Sequence, residues 1–223
     1  MADAVGARDR TPQDRALDAG RQPGKILAFF QLRRGQRVAE LGVGTGTTTE
    51  LLARVVGPKG RVYGQNPPFV LKRFAEKPWS ARLKKAVMKN VVRLDRPFDD
   101  PFPASVTKLD AVLNILFYHD TFWQKVDRGK MNKAVFAALK SGGIYGIVDH
   151  AAKTGRGSLD TKSLHRVEKS VVIKEIEAAG FVLIAEATFL HNPKDAHDWN
   201  AAPRASGTRR GTSDRFVLLF VKP

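Results

Sequence analysis

The sequence predicts an α/β fold in which a mostly parallel sheet carries helices on both faces. Three observations predict it. The run Arg37-Val-Ala-Glu40-Leu41 is a short apolar strand that breaks into the glycine-rich turn Gly42-Val-Gly44-Thr-Gly46 and then into a helix over residues 48–56. In that helix Leu51, Leu52, Val55 and Val56 recur at helical spacing. Second, further short apolar runs at 61–64, 90–94, 109–116 and 144–148 are separated by helical stretches, the alternation that builds a parallel sheet. Third, Leu109-Asp110-Ala-Val-Leu-Asn114-Ile-Leu is apolar almost throughout, as a central strand covered on both faces should be.

At 223 residues the chain is long enough to bury a large core, and one domain over residues 21–223 is expected. Residues 1–20 are rich in Ala, Asp, Arg and Gly and read as a flexible tail with one turn of helix at most. The chain has no cysteine, which excludes disulfides, thiolate metal sites and a cysteine nucleophile. Its first residues lack an apolar run of signal length, and no stretch reaches the ~18 apolar residues of a membrane span. A cytoplasmic protein is the expectation. The formal charge of +16 is unusual, with basic residues at Lys72-Arg73, at 82–89 and at 204–215. It points either to an anionic partner such as nucleic acid or to a solvated basic surface. The clusters are not interleaved with aromatics, so a base-stacking platform is not indicated.

Taken in order, Arg21-Gln-Pro23-Gly24 is a start signal for a helix over 25–32 that buries Ile26, Leu27, Phe29 and Phe30. Gly57-Pro58-Lys59-Gly60 stops the helix after the glycine turn. Residues 70–88 are helical in part, with a break expected at Lys77-Pro78-Trp79. A helix at 128–139 ends at Ser141-Gly142-Gly143. The glycine-rich loop 151–161 reads as a flexible cover, and a helix over 162–179 follows, ended by Gly180. Residues 181–190 and 215–221 are two strong strands joined by a long polar loop.

The glycine turn carries the chemistry. Glycines let the backbone approach a ligand closely, and the N–H groups opening the helix face an electron-rich group. A dinucleotide fingerprint would read G-x-G-x-x-G. Here the spacing is G-x-G-x-G, with the acid Glu40 two residues ahead. That variant resembles motif I of the class I S-adenosylmethionine (SAM)-dependent methyltransferases. The resemblance implies a Rossmann-like sheet of seven strands, mostly parallel with an antiparallel last strand. Residues 181–190 and 215–221 fit the antiparallel pair, strands six and seven. SAM is the implied cofactor, held by Glu40, Gly42, Gly44, Gly46 and Thr47, with Glu40 orienting its ammonium. Asn66 stands by spacing where the family has an acid for the ribose hydroxyls, and its amide oxygen can still accept a hydrogen bond. Asp95, at the end of the third strand, is the choice for the adenine amine, with Asp99 and Asp100 as alternatives. Asn114, ending the fourth strand, completes the set. Asn66-Pro67-Pro68-Phe69 mimics the signature of adenine amino-group methyltransferases, but that signature belongs after the fourth strand and here follows the second.

Ligands of open α/β sheets bind beyond the carboxyl ends of the strands. Tyr118, His119 and Asp120 lie there after strand four, and Asp149-His150 after strand five. His119 or His150, poised by Asp120 or Asp149, is the candidate general base, and His165 joins them if its helix folds over the mouth. A divalent metal held by His and Asp groups is a second option, suited to zinc, iron or manganese. No H-x-x-x-H spacing supports it, so no metal is assigned. His119-Asp120, Asp149-His150, Leu164-His165-Arg166 and Arg210-Gly-Thr-Ser-Asp-Arg-Phe216 together resemble a family of small predicted methyltransferases of unassigned substrate. The favoured activity is methyl transfer to an O or N nucleophile of a small molecule or peptide. The alternatives are an RNA methyltransferase that uses the basic surface and a SAM-binding protein without transfer activity.

Overall fold

A computed structural model describes residues 2–223. Its strands are β1 (Arg37–Leu41), β2 (Arg61–Asn66), β3 (Val91–Asp95), β4 (Leu109–Ile115), β5 (Leu139–His150), β6 (Val182–Ala187) and β7 (Arg215–Val221). They form one sheet in the order β3-β2-β1-β4-β5-β7-β6. Strands β1 to β5 pair in parallel, and β7 is antiparallel to both β5 and β6, as the last strand was expected to be. The order reverses between β1 and β4, so the carboxyl ends of these two strands open the crevice in which such sheets bind ligands.

The helices are α1 (Ala2–Gly6), α2 (Pro12–Ala16), α3 (Asp18–Arg21), α4 (Pro23–Phe29), α5 (Thr47–Val56), α6 (Pro68–Val70), α7 (Glu76–Leu83), α8 (Asp120–Trp123), α9 (Arg128–Ala138) and α10 (Lys169–Glu177). Alternation along each strand sends neighbouring side chains to opposite faces. Val38, Val62, Ala111 and Leu113 pack with α4, α5 and α7 on one face. Ala39, Leu41, Val112, Tyr145 and Ile147 pack with α9 and α10 on the other. Among the described residues no helix is long and apolar enough to cross a membrane.

Three expectations are corrected. Residues 2–20 carry α1, α2 and most of α3 rather than a single turn of helix. Arg10 is buried and donates two hydrogen bonds to Asp18, at 2.6 and 2.7 Å. Asp14 pairs with Arg82 at 2.8 Å and Asp9 with Arg54 at 2.9 Å. Two of the segment's acids, Asp9 and Asp14, find their partners more than forty residues away. Met1 lies outside the described residues. Next, the break expected at Pro78 does not occur. A wide π turn at Leu71–Ala75 resets the register, and Pro78 falls in the first turn of α7, where a missing N–H costs little. Finally, the helix expected over 162–179 begins only at Lys169. Ahead of it His165 takes the left-handed conformation (φ 53°), and Val167 bridges to Ala151. Both features stop a helix from starting earlier.

Candidate active site

The turn after β1 takes the shape its glycines predict. Gly42, Gly44 and Gly46 have φ of 68°, 57° and 88°, in the region that side chains disfavour. Each glycine also admits a neighbour. A Cβ on Gly42 would stand 2.5 Å from the Phe117 ring, and one on Gly46 would stand 2.5 Å from Trp79. Gly46 therefore serves the packing of α5 against the fully buried Trp79 of α7. Gly42 and Gly44 form the floor of the crevice, and the half-buried Phe117 lies across it. Phe117 follows Leu116, whose φ of 62° turns the chain back over the glycines. Its position could not be read from the sequence, because a residue in that backbone region is not signalled by its identity.

Two amides from β2 clamp the turn. Gln65 Oε1 accepts the Gly42 N–H at 3.0 Å, and Gln65 Nε2 donates to the carbonyl of Arg96 at 2.6 Å. Asn66 Oδ1 accepts the Gly44 N–H at 2.8 Å, while Asn66 Nδ2 donates to the Gly44 carbonyl at 3.0 Å. Asn66 is fully buried, and both ends of its amide are engaged with Gly44. A carboxylate could accept the first bond but not donate the second. This accounts for an amide at a position where the methyltransferase resemblance leads to the expectation of an acid. Asn66→Asp is expected to cost ~1–3 kcal/mol, because it sets an acceptor against the Gly44 carbonyl. Chemical denaturation would read that loss. An unchanged midpoint would remove the clamp.

Glu40 sits beneath the turn, 2 % exposed, and accepts a hydrogen bond from the Thr49 hydroxyl. Burial pushes its carboxyl up to about 8, although Thr49 and the nearby Arg21 oppose the shift. Thr47 is tied to α2 through its hydroxyl, which donates to Asp14 at 2.9 Å. Asp95 is exposed and paired with Arg93 at 2.7 Å, and Asp100 with Arg96. Asn114 is fully buried and, among the described residues, neither atom of its amide has a partner. Tyr118 turns away from the mouth. It donates to Glu175 at 3.0 Å and accepts from Asn132 at 2.9 Å, inside the core on the α9 and α10 face.

The histidines do converge. Asp149, fully buried at the end of β5, accepts the backbone N–H of His119 at 2.7 Å and of His150 at 2.8 Å. Its Oδ1 also stands 2.6 Å from His119 Nδ1. The opposite ring nitrogen, His119 Nε2, lies 3.1 Å from His165 Nδ1 and 3.2 Å from Asp120 Oδ1. Trp123 donates its indole N–H to the same Asp120 oxygen at 2.8 Å. His150 Nδ1 lies 2.7 Å from the Ser213 hydroxyl. Burial alone would push His119 down, but the Asp149 and Asp120 carboxylates outweigh it and raise the ring to about 10. Burial also opposes ionisation of Asp120, yet the imidazolium of His119 holds it far below the usual carboxylate range. His150 goes the other way: burial, reinforced by the His119 charge, pushes it well below 6.5, so it is neutral at pH 7.

These shifts fix a sign. Glu40 and His119 both have folded values above their unfolded ones, 4.5 and 6.5. Each therefore contributes stability that is complete below its unfolded value and lost as pH rises through its folded one. The melting temperature is expected to fall from about pH 7 to 10, above the range in which His150, with its folded value below 6.5, contributes the opposite slope. Glu40→Gln should flatten the lower part of that profile and His119→Gln the upper part. A melting temperature that rises across this range would contradict the assignment.

Rings continue outward from this cluster. His119 and His165 have centroids 5.2 Å apart, His165 and Trp123 6.3 Å, and Trp123 and Phe69 5.8 Å. Phe69 is 43 % exposed, so an aromatic wall runs from the buried histidines to solvent. Behind the cluster Arg166, fully buried, pairs with Asp195 at 2.9 Å and donates to the Ala151 and Trp199 carbonyls. Asp195 Oδ2 in turn accepts the Asp214 N–H at 2.6 Å. The Leu164-His165-Arg166 and 210–216 motifs therefore meet through Asp195, a residue the sequence reading did not single out. Phe117, Trp123 and Ser213 were also passed over as members of the site. Phe117 and Trp123 carried a signal by lying beside the Tyr-His-Asp cluster, and Ser213 by lying inside the 210–216 motif.

Strand order, the glycine turn after β1 and the buried acid two residues ahead of it define the fold of the class I SAM-dependent methyltransferases. The family model of protein-L-isoaspartate(D-aspartate) O-methyltransferases matches residues 13–92, just over a third of the chain and the part that contains the turn. No curated protein matches the sequence. Among solved structures, a SAM-dependent methyltransferase from Aquifex aeolicus is 18 % identical with a TM-score of 0.65, over 90 % of this chain and 89 % of that one. Fibrillarin from Aeropyrum pernix, with natively bound SAM, is 16 % identical with a TM-score of 0.61, over 92 % and 76 %. A [4+2]-cyclase is 16 % identical with a TM-score of 0.63, over 92 % and 82 %. At these identities the likeness is one of fold. The cyclase shows that the fold alone does not decide the reaction.

Proposed function

We propose that the protein is a SAM-dependent methyltransferase acting on an O or N nucleophile of a small molecule or peptide. The observation that carries this reading is the junction of two features at one mouth. A G-x-G-x-G floor with a buried acid lies at the end of β1, and a His-Asp cluster lies at the ends of β4 and β5. The glycine floor suits the group on one count, since side chains there would fill the crevice. Phe117, which lies across that floor with its ring 6.4 Å from that of Phe98, would have to move for SAM to enter. SAM, when bound, supplies an electrophilic methyl on a sulfonium, which leaves without acid assistance.

The chain's own residues do the rest. Glu40 and the backbone of the turn at Gly42 and Gly44 would hold the cofactor. Neutral His150, with Ser213 on its Nδ1, takes the proton from the acceptor. His119, fixed by Asp149, keeps a positive charge beside it and favours an acceptor that ionises. The wall of Phe69 and Trp123 suits an acceptor with a flat apolar body. RNA is the weaker reading because three members of the basic clusters are withdrawn from the surface: Arg82 and Lys85 pair with Glu50 or Asp14, and Arg215 is buried.

The test is incubation of the protein with methyl-labelled SAM and cell extract, separated into small-molecule, protein and RNA fractions. Label in the small-molecule or peptide fraction supports this reading. Label confined to RNA replaces it with the RNA alternative. No label in any fraction, with SAM still bound, leaves a SAM-binding protein without transfer activity.

A further inference from the structure

We propose that His119, Asp120 and His165 form a binding site for a single divalent transition-metal ion of the zinc type. Three ligand atoms, His119 Nε2, His165 Nδ1 and Asp120 Oδ1, stand 3.1, 3.2 and 3.2 Å from one another, an almost equilateral triangle. Ligands 2.0–2.2 Å from a tetrahedral metal are separated by roughly 3.3–3.5 Å. The triangle is thus one face of such a tetrahedron, contracted by a few tenths of an ångström. Among the described residues this is the one group of His and acidic side chains whose ligand atoms converge in this way.

The surroundings are those of a metal site rather than of a simple ion pair. His119 presents Nε2 because its Nδ1 is committed to the buried Asp149 at 2.6 Å. A carboxylate behind the ring fixes the tautomer and orientation of a metal-bound histidine in this manner. Asp120 is oriented by the Trp123 indole at 2.8 Å. His165 is held in the left-handed region, a costly conformation for a non-glycine residue, and that turn is what brings its ring to the triangle. The three ligands come from two separate segments, the start of α8 after β4 and the loop before α10, so the short-range spacing that marks many metal motifs is absent from the sequence. Three protein ligands leave a fourth position, which is the arrangement of a metal that also takes a substrate oxygen. The aromatic wall opens from that side. The role at the acceptor rests on the methyltransferase reading. The site itself does not. Metal binding displaces the proton on His119 Nε2 to solvent, so the ligand set is two neutral imidazoles and one carboxylate, and the cation takes over the positive charge beside His150.

The test uses the full chain, stripped with chelator and titrated with Co2+. One equivalent is expected to bind and to give the visible d–d absorption of a four- or five-coordinate nitrogen–oxygen site. Zn2+ should then displace it and abolish the colour. His165→Ala and Asp120→Asn should each weaken Co2+ binding by ten-fold or more. His165 is partly exposed, so its variant should keep the wild-type melting profile. Co2+ affinity equal in wild type and His165→Ala, or no binding by folded wild-type protein, overturns the site. SAM binding measured on the same samples separates this outcome from failure of the methyltransferase reading, since neither result depends on the other.

Discussion

Arg166→Ala is expected to lower stability by ~3–5 kcal/mol, the largest effect of any single change considered. The guanidinium and the Asp195 carboxylate are both essentially without solvent contact and 2.9 Å apart. Taking away one partner leaves the other charge buried and unpaired, which costs more than the pair contributes. Asp195 also accepts the Asp214 and His197 N–H groups and the Trp199 indole, so the loss spreads into the 191–215 loop. For a chain of this size the change corresponds to roughly 6–20 °C in melting temperature. Arg166→Lys should recover little, because one ammonium cannot span the Asp195, Ala151 and Trp199 acceptors that the planar fork reaches. A thermal melt within about 2 °C of wild type would show that the pair is not structural.

The second large effect is on turnover. His150→Ala should reduce methyl transfer by roughly 10²–10⁴-fold, the usual contribution of a positioned general base. His119→Ala should reduce it as well, because Asp149 would then face the mouth without its cation. In both variants SAM affinity should stay within a few-fold of wild type, since neither ring touches the glycine floor. The pH profile separates the two roles. Loss of the His150 base removes the acid limb of the rate profile, whereas loss of His119 shifts that limb to higher pH, as the like charge that depresses His150 is gone. Near-normal turnover in both variants would remove the His-base assignment.

Much of the fold was legible in the sequence, and the reason is local. The G-x-G-x-G turn with Glu40 ahead of it fixes a strand, a turn and a helix within twenty residues, and periodicity does the same for α5, α9 and β7. Errors arose where distant partners decide. The acids of residues 2–20 look solvated until Arg54 and Arg82 are placed beside them. The helix over 162–179 loses its first half to His165 and to the Ala151 bridge. In the site, proximity in sequence misled at Tyr118, which shares a cluster with His119 but points into the core. Asp149 and His150 do lie beside His119, because a strand end delivers both residues. Asn66 illustrates a subtler limit. Spacing puts it at the end of β2, but only the two bonds to Gly44 explain why it is an amide.

The central claim is that the floor formed by Gly42 and Gly44, with Glu40 beneath it, receives SAM once the Phe117 ring moves. Calorimetric titration of SAM, and of its demethylated product, into wild type and Phe117→Ala tests it directly. Saturable one-to-one binding by both proteins is predicted, at least as tight in Phe117→Ala as in wild type. Absence of heat and of competition in both proteins, with the fold intact, would contradict it.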